Sequence, residues 1–138
     1  QISASYGVKI AEFPTTLEAA QACRDAGIAV MMGGPNLIRG GSHSGNVAAH
    51  TLAEAGVLDV ISSDYVPASL MSSAFLLADL WGDLPRAMAT VSATPAAAAG
   101  LADRGRLQLG LHADLVQVRR LDGHPCIRGV WSHGRQVG

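Results

Sequence analysis

Polar side chains that could contact an anionic ligand are concentrated between residues 33 and 46, in the segment GGPNLIRGGSHSGN. Five of its fourteen residues are glycine, which lets a ligand approach the backbone closely. The polar side chains are Arg39, Ser42, His43, Ser44 and Asn46. This composition predicts a loop suited to an anion, with Asn46 placed to cap the helix that follows. The alternative is a mobile surface connection that binds nothing.

A second candidate is Asp64, which closes the next apolar run, VLDVISSDY. A carboxylate at the end of a strand can accept a proton from a reacting water, and it can also ligate a metal. An Asp in this position can equally cap the helix that begins near Ala68. Both interpretations of Asp64 remain open on local pattern alone.

Strand and helix patterns alternate along the first 65 residues. Strands are predicted over Tyr6–Phe13, Ile28–Met32 and Val57–Ser63, and helices over 17–27, after an N-cap at Thr16, and over 47–56. This alternation predicts an α/β fold with a parallel sheet. Ligands bind at the carboxyl ends of such strands, where Glu12, the segment 33–46 and Asp64 all fall.

The rest of the chain changes character near Leu101. Helices are predicted over 68–81, 84–90 and 94–99, and short antiparallel strands over 114–118, 127–131 and 135–137, with turns at Asp122-Gly123 and His133-Gly134. We therefore place one domain over residues 1–101 and a small β-strand domain over 102–138. The histidines of this second part, His112, His124 and His133, are predicted to face solvent.

Composition limits the classes of partner and the cellular compartment that the sequence favours. A net charge of −1 and 4% aromatic residues give neither a basic surface nor stacking side chains, which argues against nucleic acid. The chain has no apolar run of the roughly eighteen residues that a membrane helix needs. Cys23 and Cys126 form no paired spacing, which favours a reducing cytoplasm over a disulfide framework.

The tail SATPAAAAGLADRGRLQLGLHADLVQV resembles the segment with which amidohydrolase-superfamily enzymes leave their (β/α)8 TIM barrel and enter a small β domain. Three blocks, AEFPTTLEAA, GGPNLIRGGSHSGN and VLDVISSDYVPASL, are similar in the same order to the phosphonate-degrading branch of that superfamily. The resemblance implies that the three predicted strands are barrel strands six to eight. A whole barrel needs roughly 200 residues or more, so the chain is expected to be the C-terminal portion of a longer protein.

The resemblance also implies a chemistry. Such an enzyme hydrolyses a ribose phosphonate triphosphate and releases pyrophosphate, on the carbon–phosphorus lyase pathway, with a divalent metal such as zinc or manganese. Asp64 would then be both a metal ligand and the proton shuttle. Glu12 stands where the superfamily has a histidine, so its role as a second ligand stays open. The substrate's phosphates would contact Arg39, Ser42, His43, Ser44 and Asn46.

The other metal ligands of the superfamily have no counterpart in this sequence. They are expected in the missing N-terminal half of the barrel, so the 138 residues alone are expected to be inactive. Two alternatives remain open. One is a related amidohydrolase that cleaves a cyclic amide C–N bond. The other is a non-enzymatic assembly module that buries its open sheet edges against that missing half or in a homo-oligomer.

Overall fold

Two three-stranded sheets organise the chain, one parallel and one antiparallel. The computed structural model describes residues 5–41 and 45–138. The strands are β1 (Ile10–Glu12), β2 (Ala29–Gly33), β3 (Val60–Ser62), β4 (Leu115–Leu121), β5 (His124–Ser132) and β6 (Arg135–Gln136), and the helices are α1 (Leu17–Asp25), α2 (Gly34–Arg39), α3 (Ala49–Glu54), α4 (Ser69–Trp81), α5 (Leu84–Ala89) and α6 (Ala93–Ala98). The predicted mixed α/β class is confirmed, and membership of a (β/α)8 barrel stays a prediction.

The parallel sheet has the strand order β1-β2-β3. Its strands are shorter than predicted, and Asp59 gives the reason at β3. The Asp59 carboxylate accepts the backbone N–H of Val30 at 2.9 Å, so a side chain takes the place of a ladder bond and regular pairing begins at Val60. Arg24 on α1 pairs with the same carboxylate at 3.2 Å, which ties the helix to the sheet.

The two faces of this sheet differ. Val30, Met32 and Ile61 point to one face and lie in the core that the helices cover, with exposed fractions of 0%, 2% and 3%. Successive residues of a strand point to opposite faces, so Met31, Val60 and Ser62 point to the other face. Met31 and Ser62 are only half-buried, whereas Val60 is 2% exposed. One face of the sheet is therefore packed under helices, while the other stays partly open.

The segment predicted as a single loop over residues 33–46 begins as a helix, and this part of the prediction is wrong. Helix α2 starts directly after β2, carries Pro35 in its first turn and ends at Gly40, whose φ is +76°. Gly34 lies against helix α4, where an added Cβ would fall 2.5 Å from the Ser69 hydroxyl oxygen. Tertiary packing against α4 thus stabilises a short helix that its glycines disfavour.

Helix α4 agrees with the predicted range and connects the parts of the chain. Its last residue, Trp81, donates its indole N–H to the carbonyl of Ala53 in α3 at 3.0 Å. On another side of the helix, the Asp79 carboxylate accepts hydrogen bonds from Nη1 and Nη2 of Arg120, a residue of strand β4. Helix α4 therefore contacts both the helical layer and the antiparallel sheet.

The antiparallel sheet has the strand order β4-β5-β6 and two tight turns. Asp122 and Gly123 have φ values of +48° and +82°, and His133 and Gly134 have +51° and +78°. Two consecutive positive φ values match the twist of a hairpin, so both predicted turns are confirmed. Among the helices within residues 5–41 and 45–138, none has the length and apolar character needed to cross a bilayer.

Candidate functional site

Three strand ends meet at the carboxyl edge of the parallel sheet. Gly33 ends β2, Phe13 follows β1, and Asp64 follows β3. A Cβ added to Gly33 would lie 2.9 Å from the Asp64 carboxylate oxygen Oδ2 and 3.2 Å from Phe13 Cζ. The absence of a side chain at Gly33 is what lets the carboxylate lie across the end of β2.

The backbone after β3 presents this carboxylate. Asp64 has a φ of +50°, a conformation that Asp and Asn adopt more readily than most residues. The turn is closed by the N–H of Val66, which donates to the carbonyl of Ser63 at 3.0 Å. The hydroxyl of Ser69, at the start of α4, donates to the same carbonyl at 3.3 Å. Asp64 is exposed at this turn, so its carboxylate is accessible to a ligand.

Arg39 reaches the same turn from the end of helix α2. Its Nη1 donates to the phenol oxygen of Tyr65 at 2.6 Å, and its guanidinium carbon lies 5.9 Å from the centroid of the Tyr65 ring. Because Tyr65 directly follows Asp64, the guanidinium and the carboxylate belong to one edge of the sheet. Arg39 is thus linked to the turn that carries Asp64 through its contact with Tyr65.

Tyr65 is a residue of this edge that sequence reasoning missed. Its side chain is 63% exposed, and an exposed tyrosine after a strand has no distinctive sequence pattern. The one clue in the sequence is its position beside Asp64 in the run ISSDY. Only the long-range contact with Arg39 distinguishes it from an ordinary surface residue.

The connection between α2 and α3 corrects another prediction. The sequence predicts Asn46 as the cap of the following helix, but the N-cap residue is Ala48, which makes no side-chain cap bond. The N–H of Ala49 is instead capped from α2 by Asn36, whose Oδ1 accepts it at 2.9 Å. Val47 donates its N–H to the carbonyl of Thr15, close after β1, at 2.9 Å. The end of this connection therefore lies beside the carboxyl edge, and Asn46 is exposed there.

The structure says less about the other predicted site residues. Glu12 is the last residue of β1 and is exposed, and it pairs in register with Met31. Ser42, His43 and Ser44 lie outside the described residues. Within residues 5–41 and 45–138, no three His, Cys, Asp or Glu side chains group closely enough to hold a metal. Asp64 and Glu12 alone do not make a complete metal site.

A cluster of ionic side chains lies away from this edge, at the junction of residues 103–114 with the β5–β6 turn. The rings of His112 and His133 have centroids 4.5 Å apart. Arg104 donates to Asp103 at 2.9 Å and lies 3.1 Å from Nδ1 of His112. The His112 side chain is paired and 34% exposed, so it faces solvent only in part. Contacts between distant segments, which local pattern does not encode, create this cluster.

Hydrogen bonding perturbs the acids of this cluster. The Arg104 guanidinium lowers the pKa of Asp103, and the Asp103 carboxylate in turn raises the pKa of Arg104. The backbone N–H of His133, which donates to Asp114 at 2.9 Å, lowers the pKa of that carboxyl. Asp114 fastens the segment to the turn, while Asp103 and Arg104 pair with each other within the segment. These contacts have a structural role.

The fold of the chain is similar to that of a solved structure. The chain superposes on the crystal structure of an uncharacterized protein with a TM-score of 0.67 and 20% sequence identity, over 95% of this chain and 41% of that one. At this identity the likeness concerns the fold alone. No protein-family model matches the sequence.

Comparison with curated proteins is more specific. The chain is 53% identical over 134 residues to alpha-D-ribose 1-methylphosphonate 5-triphosphate diphosphatase of Escherichia coli (strain K12). The match covers 95% of this chain and 35% of that protein, so the chain spans about a third of the length of its relative. The resemblance drawn from the three sequence blocks is thereby confirmed.

Proposed function

We propose that this chain is the C-terminal portion of a metal-dependent hydrolase of amidohydrolase type, in which its three parallel strands are barrel strands six to eight. The full-length protein would hydrolyse a ribose phosphonate triphosphate and release pyrophosphate in phosphonate catabolism. The observation that carries the proposal is the 53% identity to a diphosphatase of that substrate, which extends over 95% of the chain. The face of the parallel sheet that carries Met31 and Ser62 is only partly open, which is compatible with the packed interior of a barrel.

Asp64 is the proposed proton-transfer residue. Its exposed carboxylate lies at the carboxyl edge of the sheet, the edge where ligands of parallel α/β folds bind. There it would accept a proton from the attacking water and return it to the leaving phosphate oxygen. The absence of a side chain at Gly33 leaves the space that this carboxylate occupies.

Arg39 is the proposed phosphate ligand, joined by Ser42, His43, Ser44 and Asn46. A guanidinium matches the geometry of two phosphate oxygens, and its charge offsets the charge of the triphosphate. Arg39 is exposed and lies beside the turn that carries Asp64. The substrate would therefore be held at the carboxyl edge of the sheet, with its phosphate chain next to the proton-transfer group.

The donor chemistry of Asp64 suits a divalent metal, with Glu12 as a second candidate ligand. When bound, such a metal lowers the pKa of water to about 7 and supplies hydroxide at neutral pH. Two carboxylates are fewer than a metal site requires, so the remaining ligands would come from residues outside this chain. We therefore expect the 138 residues alone to bind no metal stoichiometrically and to be inactive.

A direct assay tests the proposal. The full-length protein, loaded with zinc or manganese, is incubated with the ribose phosphonate triphosphate and, separately, with a panel of cyclic amides, and the products are followed by phosphorus NMR and chromatography. Release of pyrophosphate supports the proposal. Turnover of an amide without pyrophosphate release would favour the amidohydrolase alternative, and turnover of neither would favour the assembly module.

A further inference from the structure

The contact between Arg39 and Tyr65 joins two groups that each can donate to an anion. Arginine has donors and no acceptor, so the phenol oxygen of Tyr65 must be the acceptor in the 2.6 Å bond. The phenol keeps its own O–H proton for a second bond. That proton can be donated to a group outside the pair, because 63% of the Tyr65 surface is exposed.

The positive charge of Arg39 is also available to bind an anion. Within residues 5–41 and 45–138, no carboxylate lies within salt-bridge distance of Arg39, whereas Arg24, Arg104 and Arg120 are each paired with an aspartate. The neutral Tyr65 phenol holds the guanidinium of Arg39 by its hydrogen bond without neutralising the charge. Arg39 is therefore oriented but keeps a full positive charge.

From this geometry we propose that Tyr65 and Arg39 form one anion clamp, in which the Tyr65 hydroxyl donates to the same phosphate group that Arg39 binds. This inference rests on the proposed function, and it assigns the clamp to the phosphate chain of the substrate. Tyr65 follows Asp64 directly, so the Cα atoms of the two residues are about 3.8 Å apart. The clamp thus belongs to the same turn as the proton-transfer residue.

The probe is inorganic tripolyphosphate, titrated by calorimetry into the full-length protein in metal-free buffer. Tyr65→Phe removes the hydroxyl but keeps the ring, and we expect it to weaken binding by about 3- to 10-fold, the usual effect of one lost hydrogen bond. Tyr6→Phe makes the same change at a tyrosine that is 84% exposed, and it should leave binding unchanged. Urea unfolding of each variant checks that the fold is kept.

A second pair of variants separates direct contact from positioning. If the hydroxyl itself donates to the anion, Tyr65→Phe weakens binding further in an Arg39→Ala background. If Tyr65 only orients Arg39, the substitution has no effect in that background, and the proposed clamp is wrong. Arg86→Ala is the matched control for Arg39→Ala, because Arg86 also lies over an aromatic ring, that of Trp81 at 4.0 Å.

Failure of the clamp and failure of the proposed function can be told apart. Wild-type protein that releases pyrophosphate while Tyr65→Phe binds tripolyphosphate normally would overturn the clamp and leave the function standing. Protein that releases no pyrophosphate but loses anion binding in Tyr65→Phe would support the clamp and overturn the function. Wild-type protein that does not bind tripolyphosphate would overturn the clamp.

Discussion

The carboxylate of Asp64 occupies the space in which residue 33 would carry a side chain. A Cβ on Gly33 would lie 2.9 Å from Asp64 Oδ2, a separation too short for real atoms to adopt. One glycine therefore determines where the acidic group of the candidate site lies. This relationship connects the end of β2 with the turn after β3, and it leads to the first prediction.

Replacing Gly33 with alanine should displace Asp64 or Phe13, because both lie within 3.2 Å of the added methyl group. Because both side chains are exposed and can shift, we expect the free energy of unfolding, measured by urea denaturation, to fall by about 1 kcal/mol. Gly41→Ala is the control, since no atom of residues 5–41 and 45–138 lies within 4 Å of a Cβ there. Equal stability of the two variants would contradict the described packing.

Asp64→Asn should abolish proton transfer in the full-length enzyme while leaving the turn intact. Asparagine tolerates the φ of +50° and keeps the size of the side chain, so the urea unfolding midpoint should not move. The rate of pyrophosphate release should fall by about 100-fold or more. As a control, Asp25→Asn changes an exposed acid on α1 and should leave the rate of pyrophosphate release unchanged. A fully active Asp64→Asn protein would remove Asp64 from the mechanism.

Asn36→Ala should weaken the start of helix α3. The Asn36 side chain accepts the N–H of Ala49 at 2.9 Å, and loss of a capping acceptor costs about 1 kcal/mol of unfolding free energy. Asn46→Ala, at the residue that the sequence favours for this cap, should change stability by less than about 0.5 kcal/mol. The reverse order in thermal or urea unfolding would contradict a capping role for Asn36.

The pair of Asp79 and Arg120 should make stability depend on acidic pH. Arg120 lowers the pKa of Asp79 below its usual value of about 3.9 through a direct hydrogen bond. The stabilising effect is therefore complete above about pH 4 and disappears as the pH falls through the folded-state pKa. Added salt should weaken it as well, since both side chains are about half-exposed.

The measurement is the difference in urea unfolding midpoint between wild type and Asp79→Asn, followed from neutral pH down through the folded-state pKa of Asp79. The difference should be largest near neutral pH and should vanish at the acidic end. Asp25→Asn is the control, because Asp25 accepts from the neutral amide of Gln21 at 2.9 Å. A difference between wild type and Asp79→Asn that is constant over the whole range would exclude the ion pair as its cause.

Local pattern determined the features of this protein that depend on neighbours along the chain. The N-cap at Thr16, which accepts the N–H of Ala19 at 3.1 Å, the helix that ends at Trp81 and both hairpin turns follow from residue type and spacing. The order of strands and helices also follows, because hydrophobic periodicity is set locally. That order by itself predicts Asp64 and Arg39 at one edge of the sheet.

Tertiary structure decided which of these residues touch. The helix after Gly33 forms because Gly34 lies against the serines of α4, and Asn36 rather than Asn46 caps α3 because the fold brings it to Ala49. The contact of Arg39 with Tyr65 crosses 26 positions of sequence. Such contacts depend on close packing between separate elements, and close packing is a property of the folded chain that no local pattern of residues contains.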